Sequence, residues 1–487
     1  MIGSMRLIVF VLLVLGAMPA ARAQDAASLQ KRIEVQLNAA SPGTRFGVVV
    51  TDPDGRELIA INPEGRFIPA SNTKMFTTAA AFMTLSGLDQ PDVDGGTTVA
   101  LQGKDVILKG FGDARMSSAA DCTVDCLATL ADAVAAKTKR VRNIIGDAAL
   151  WPDVRWSPGM SWNNVAERSG TGIAALSLDS NELPLTVKPS YAGMLPIVAF
   201  SSDYFTIENQ ATTIARGPNT LDVKRLPFER RVILFGKIAV GEAPEKIALG
   251  IDDPAHYAAW QLAALLKARG VRVKGEIRSR YKEEGPLPPS VIAEACPKMG
   301  CRKFDPPPII LARLTPPPLA DDIKVINKVS QNLHADLLTR RLGGADGKGL
   351  DGGLAAIEIM LAKAGVLRTA YDFADGSGMS TYNRVAPRGA VTFLRWVAAQ
   401  AWGAAWRVTL PIGGVDGTIA RRFKGTTLEG RIFAKTGGLN ATAALSGYMI
   451  AKSGRELTFS LFANDMPAGT RAQPIMDAAL IAIADAN

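Results

Sequence analysis

Histidine is nearly absent from this sequence: His256 and His334 are the two among 487 residues. A hydrolase built on a Ser-His-Asp triad would need one of them as its base. His256 falls in a helical stretch of the middle region, and His334 in a later one, four residues after Ser330; both read as ordinary helix residues. The strained G-x-S-x-G turn of another serine hydrolase class is missing as well. A serine hydrolase with this composition must turn to lysine. Long apolar runs are also lacking, since past the N-terminal stretch nothing approaches the ~20 residues a membrane-spanning helix needs. Aromatics make up 6% of the chain, and no basic run is interleaved with them, which excludes the usual nucleic-acid surfaces. The formal net charge of +9 is mild for this length and fits loose attraction to anionic lipid or wall polymers.

Cysteine is scarce and paired, as Cys122/Cys126 and Cys296/Cys301. In an exported chain, local disulfides are the default. A four-thiolate zinc cluster is the rival, but neither spacing is C-x2-C, so two local disulfides and no bound metal are expected.

What is present begins with a leader. Arg6 provides a positive start, Leu7 to Met18 an apolar stretch, and Ala21-Arg22-Ala23 a small-x-small cleavage pattern. Residues 1–23 are therefore expected to be a signal peptide cleaved near Ala23/Gln24, giving an exported, periplasmic protein with no transmembrane anchor in the mature chain. The remaining length calls for two or three domains. Strands are expected over Arg45 to Thr51 and Glu57 to Asn62, around the turn Asp52-Pro53-Asp54-Gly55. Ser71 to Leu85 reads as a buried helix that Ser71 opens. From residue 97 to 302 the texture changes to short strand-like runs, Gly/Asp/Pro turns and one clear helix, Ala255 to Lys267. A connector with Pro306-Pro307-Pro308 and Pro316-Pro317-Pro318 follows. Then come helices over Asp322 to Leu342 and Leu354 to Ala364, a strand over Arg431 to Ala434 that ends at Lys435, two further strands, and a terminal helix over Pro474 to Asp485. The expected architecture is an α+β domain (24–96 and 303–487) with an antiparallel sheet and helices, interrupted by a β-rich insertion. The insertion divides into one domain over 97–176 and 246–302 and a second small β domain over 177–245.

Lysine can act as a base when burial and neighbouring cations suppress its pKa. A serine and a lysine at i, i+3 share one helical face, and a helix start supplies N–H groups for a developing oxyanion. The spacing occurs three times, at Ser28/Lys31, Ser71/Lys74 and Ser279/Lys282. Ser28 lies just past the leader, and Ser279 sits in a strand-like run, where i and i+3 point to opposite faces. Only Ser71 opens a long apolar helix; alone it would pass for a helix cap followed by a surface lysine. Two further elements decide between these readings. Ser330-Gln331-Asn332 is a serine-x-asparagine triplet in a helix, with a weaker double at Ser161-Trp162-Asn163, and Lys435-Thr436-Gly437 occurs once. These three signatures in order belong to penicillin-binding proteins and class A β-lactamases.

The chain resembles the class C low-molecular-mass penicillin-binding proteins, the D-alanyl-D-alanine carboxypeptidase/endopeptidase family. Supporting stretches include Pro69 to Lys74, Ala175 to Asn181, Asp253-Pro254-Ala255, Ser330 to Asp336, Asp375 to Ser380 and Gly414 to Thr418. The long separation of Ser71 from Ser330 is also typical of that family, whereas in β-lactamases it is shorter. The resemblance implies Ser71 as acylated nucleophile, Lys74 as base, and Ser330, Asn332 and Lys435 as the opposite wall of the site. It implies Lys435, Thr436, Gly437 and Gly438 as the substrate-binding strand, with the N–H groups of Ser71 and Gly438 as oxyanion hole. Peptidoglycan stem peptides would be the substrates and β-lactams covalent inhibitors, with no cofactor. Gly438 departs from the family's usual serine or threonine. Asp375 to Ser380 is expected to be a glycine-rich turn without a catalytic role. The rival functions are a β-lactamase and a wall-binding scaffold that has lost catalysis.

Overall fold

Every residue of Arg45–Thr51 after the first is buried, the pattern of a strand covered on both faces. In the computed structural model, which describes residues 27–282, 307–344 and 347–487, this strand (β1) lies inside a five-stranded antiparallel sheet. Its partners are β2 (Glu57–Ile61), β3 (Ile432–Leu439), β4 (Thr442–Ile450) and β5 (Glu456–Asn464), in the order β2-β1-β5-β4-β3. Alternate side chains point to opposite faces. Val48, Val50, Leu445 and Leu461 pack under the helix of residues 27–37 and the terminal helix Gln473–Ala486. On the other face Ala444, Tyr448 and Phe462 meet a helical layer that includes Thr73–Thr84, Asn332–Leu342 and Pro387–Ala398. β3 is an edge strand, and its outer side meets the segment around Ile412 through a single bridge to Phe433 rather than another full strand of the sheet.

Two elements differ from the sequence reading near the site. The stretch expected as one helix from Asp322 to Leu342 is two, Leu319–Lys328 and Asn332–Leu342. The break falls at Ser330, which adopts φ 63°, and the Gln331 side chain caps the second helix by accepting from Leu333 N at 3.1 Å. Nothing in the local sequence is a strong breaker, so the tertiary setting imposes the break. The strand expected to end at Lys435 instead runs on to Leu439, pairing Gly437 with Ala444 and Gly438 with Ala443. Glycines are poor strand formers, which is why the triplet read as a terminus.

The insertion holds a second five-stranded sheet, ordered 277–282, 144–152, 105–109, 98–102 and 309–313. Its three parallel strands are joined through the helices Leu127–Lys137 and Pro254–Ala268. The first of these helices, alanine-rich and short, went unread in the sequence. Ile309–Arg313 pairs with Thr98–Gln102, so the chain leaves the insertion after Arg313 rather than at residue 302. The two triple-proline runs bracket this strand and made the whole stretch look like a connector. In the smaller unit Glu182–Lys188 pairs with Glu245–Gly250, which extends it past 245. Leu183 and Leu185 share one core with Leu130 and Leu262 of the larger unit.

Cys122 and Cys126 form a disulfide. The expected Cys296–Cys301 bridge and the leader lie outside the described residues. Beside Cys126, Asp125 adopts φ 62°, and its carboxyl faces that of Asp113 in a buried seam with Arg115, Arg341, Asp92 and Asp322. Burial, and then the charge of Asp125, push the Asp113 carboxyl well above its ordinary range, which favours one proton shared by the two acids. A carboxyl held protonated by the fold stabilises fully at low pH, and that contribution is lost as pH rises through the folded-state pKa. Asp113→Asn keeps an acceptor for Arg115 N, 2.8 Å from Asp113 Oδ1, and supplies a permanent donor to Asp125. Thermal denaturation should show this substitution stabilising by about 1–2 kcal/mol at pH 8, with the gain vanishing near pH 4. A gain independent of pH would rule out the shared proton.

Candidate active site

The chain enters the Thr73–Thr84 helix through a tight 3-10 turn, Ala70–Asn72, in which Ala70 is held at φ 46°. Such a conformation persists only where surrounding contacts enforce it. Here the enforcement comes from β3 and from the 375–380 loop. Asn72 Nδ2 donates to the Lys435 carbonyl at 2.8 Å. A Cβ on Gly437 would sit 2.3 Å from the Pro69 carbonyl oxygen, so only glycine lets β3 approach the turn this closely. Gly378, at φ 88°, likewise brings its backbone against the Ala70 carbonyl, where a Cβ would lie at 1.9 Å.

The residues named from sequence converge around this turn. Lys74 is fully buried, and its Nζ lies 2.8 Å from Ser71 Oγ, 2.7 Å from Asn332 Oδ1 and 2.5 Å from the Ser377 carbonyl oxygen. Lys435, equally buried, donates to Ser330 Oγ at 2.8 Å and to the Thr436 carbonyl at 3.1 Å. Asn332 Nδ2 donates to Ser169 O at 3.2 Å, which ties the second wall to the insertion and orients the amide oxygen toward Lys74. Thr436 Oγ1 lies 2.8 Å from Thr418 Oγ1. Burial lowers the Lys74 pKa to about 8, although the carboxylates of Asp336 and Asp375 act to raise it. Burial and then the charge of Lys74 push Lys435 well below the ordinary lysine range.

The other serine-lysine and serine-asparagine spacings do not assemble sites. Ser28 is exposed on the first helix. Ser279 donates to Asp253 Oδ2 at 2.8 Å from a strand, while Lys282 reaches the Gly347 carbonyl. Ser161 bonds Asn163 on an exposed turn. His334 Nδ1 is 3.1 Å from Asp322 Oδ1, and His256 contacts Arg230 and Tyr204. Among the described residues no group of three or more His, Cys, Asp or Glu side chains could hold a metal.

The Asp375 to Ser380 loop is the part that sequence reasoning undervalued. Asp375 accepts from Gly378 N at 2.7 Å, Ser380 N at 2.5 Å and Asn383 Nδ2 at 2.6 Å, while Asp336 accepts from Gly376 N at 3.1 Å. These bonds set the Ser377 carbonyl in front of Lys74. Burial, and then the charge of Asp336, raise Asp375 to about 6. The usable signal was an aspartate heading a Gly-Ser-Gly run, a side chain placed to collect loop N–H groups.

A sheet covered by helices on both faces, with a serine on the turn that enters a buried helix, its lysine in that helix's first turn and a second lysine on the edge strand, is a penicillin-binding fold. It matches the crystal structure of penicillin binding protein 4 (dacB) from Haemophilus influenzae with a TM-score of 0.75 at 21% identity, over 92% of this chain and 97% of that one. The same Haemophilus protein complexed with a β-lactam matches at 0.70. The model of the D-Ala-D-Ala carboxypeptidase 3 (S13) family matches residues 29–295 and 300–486, and the chain belongs to this family of serine-type D-Ala-D-Ala peptidases. The D-alanyl-D-alanine carboxypeptidase of Actinomadura sp. (strain R39) is 29% identical over 97% of this chain and 88% of its own. D-alanyl-D-alanine carboxypeptidase DacB of Haemophilus influenzae is 26% identical over 89% of each.

Proposed function

We propose that this enzyme cuts D-Ala-D-Ala bonds of peptidoglycan stem peptides, as a carboxypeptidase, an endopeptidase or both, through an acyl-enzyme on Ser71. The bonding of Lys74 carries this reading. A neutral amine has two N–H groups and one lone pair. Asn332 Oδ1 and the Ser377 carbonyl can only accept, so they take the two N–H groups. The lone pair is then left facing the Ser71 hydroxyl at 2.8 Å, the position of a general base.

In acylation, Ser71 Oγ bonds to the carbonyl carbon of the penultimate D-Ala as its proton passes to Lys74 Nζ. The C–N bond then breaks, and the proton held on Lys74 returns to the leaving amine by way of Ser330 Oγ, which Lys435 Nζ holds at 2.8 Å. Water later cleaves the ester. The N–H groups of Ser71 and Gly438 serve the oxyanion, while Thr436, Gly437 and Gly438 form the strand along which substrate lies. A carboxylate arriving beside Lys435 raises the pKa of its ammonium again, so substrate binding charges that lysine. β-Lactams enter by the same attack and remain as the acyl-enzyme. The complete network stands against a scaffold without catalysis, and the family match over nearly the whole chain stands against a β-lactamase. The Cys122–Cys126 disulfide supports export to the periplasm. Among the described residues no helix is long and apolar enough to cross a membrane.

Digestion of purified cross-linked muropeptides, read by mass spectrometry, tests this function. The expected products are tetrapeptides with released D-Ala, monomers from dimers, or both; unchanged muropeptides would overturn it. Gly438 bears on which cut dominates. A Cβ there would have only Thr442 O, at 3.9 Å, as a neighbour, so a side chain fits. A hydroxyl at this position would donate to the free carboxylate of a terminal D-Ala, a charged bond worth about 1.5–3 kcal/mol. Gly438→Thr should raise kcat/KM for a D-Ala-D-Ala pentapeptide by about 10- to 100-fold, with no matching rise for cross-linked dimers. Equal changes on both substrates, or none, would reduce Gly438 to a backbone donor.

A further inference from the structure

The Thr436 hydroxyl has a partner outside its own strand. Thr418 Oγ1 lies 2.8 Å away, on the short 3-10 turn Gly417–Ile419. This turn is anchored on two sides. Asp416 accepts from Lys328 Nζ at 2.6 Å and from Ile412 N at 2.9 Å, which ties it to the helix that ends just before Ser330. Gly413 N donates to the Ile432 carbonyl and Ala434 N to the Pro411 carbonyl, both at 3.0 Å, which stitches the same segment to β3. Thr418 is therefore anchored both to β3 and to the helix before Ser330, and it is exposed. Its exposure leaves it little part in core packing.

We infer that Thr418 is a positioning residue for the substrate's terminal carboxylate, acting through Thr436. Two hydroxyls in contact hold two protons, and one of them occupies the space between the oxygens. When Thr418 donates that proton, the O–H of Thr436 must turn away from it and toward the cleft, where a carboxylate can only accept. Donation into Thr436 Oγ1 also polarises its O–H. At a site where Gly438 offers no hydroxyl, this leaves Thr436 as an aimed donor instead of a free rotor. The inference rests on the peptidase reading and deepens it by naming the group that selects a free carboxylate.

The test compares a D-Ala-D-Ala peptide with its C-terminally amidated form, using the parent protein, Thr418→Val and Thr418→Ser. Valine keeps the shape and removes the hydroxyl; serine restores the hydroxyl. Thr418→Val should reduce the preference for carboxylate over amide by about 3- to 10-fold, the range one hydrogen bond of ordinary net strength supplies. The loss should appear in KM more than in kcat, and serine should restore the preference. A preference that Thr418→Val leaves unchanged, with the variant melting like the parent, overturns the inference and leaves the peptidase reading standing. A parent that cleaves neither peptide overturns the peptidase reading, and the inference falls with it.

Discussion

Ser71→Ala should abolish covalent attachment of a labelled penicillin and reduce D-Ala release on the order of 10⁶-fold, the scale on which a serine hydrolase depends on its nucleophile. The size of the effect follows from the absence of a substitute among the described residues. Ser71 Oγ lies 2.8 Å from Lys74 Nζ, whereas Ser330 Oγ accepts from Lys435 on the opposite wall. The two other serines with a lysine three residues on sit on the first helix and on a strand of the insertion. Peptide mapping of the parent should place the adduct on Ser71. An adduct on Ser28 or Ser279 would move the chemistry elsewhere, and so would labelling that persists in the Ser71→Ala variant.

Removing the base should cost less than removing the nucleophile, and it should leave a signature in pH. Lys74→Ala is expected to slow acylation ~10²-fold or more. Lys74 works only as a neutral amine, and burial holds its pKa at about 8. Parent acylation should therefore rise about tenfold per pH unit below that value and level off above it. The Lys74→Ala variant should lack this limb. A limb that survives in the variant would assign the titration to Lys435, the other buried lysine of the site. Near-parent acylation by the variant would mean that another group takes the proton.

The residues legible in sequence were those whose chemistry requires a fixed local spacing. A serine and lysine on one helical face must sit three or four apart, and a lysine on an edge strand carries its threonine and glycine with it. The turn at Asp52 to Gly55 and the strands beside it were legible because turn residues and alternation are local signals too. What escaped was set by distant contacts. The left-handed Ser330 divides a stretch without a strong breaker, and the extension of β3 through Gly437 is fixed by pairing with Ala444. The value of the 375–380 loop lies in one carbonyl aimed at Lys74, and a carbonyl has no residue type to read. Thr418 was visible as part of a familiar stretch, but its proximity to Thr436 depends on the anchoring of its turn.

The order of strands in the main sheet has a bearing on how the protein is made. β1 pairs Arg45 with Asn464 and Thr51 with Thr458, so a buried central strand near the start of the chain needs a partner from near its end. At ~5–20 residues per second, a ribosome needs roughly 20–80 s to supply the intervening ~400 residues. Until then Val48, Val49 and Val50 can pair only with β2, and the sheet cannot close over them. Catalytic competence needs the last strands, because Lys435 stands on β3 and β1 is paired with β5. A chain cut short before β5 carries an apolar ribbon whose partner on that side is missing.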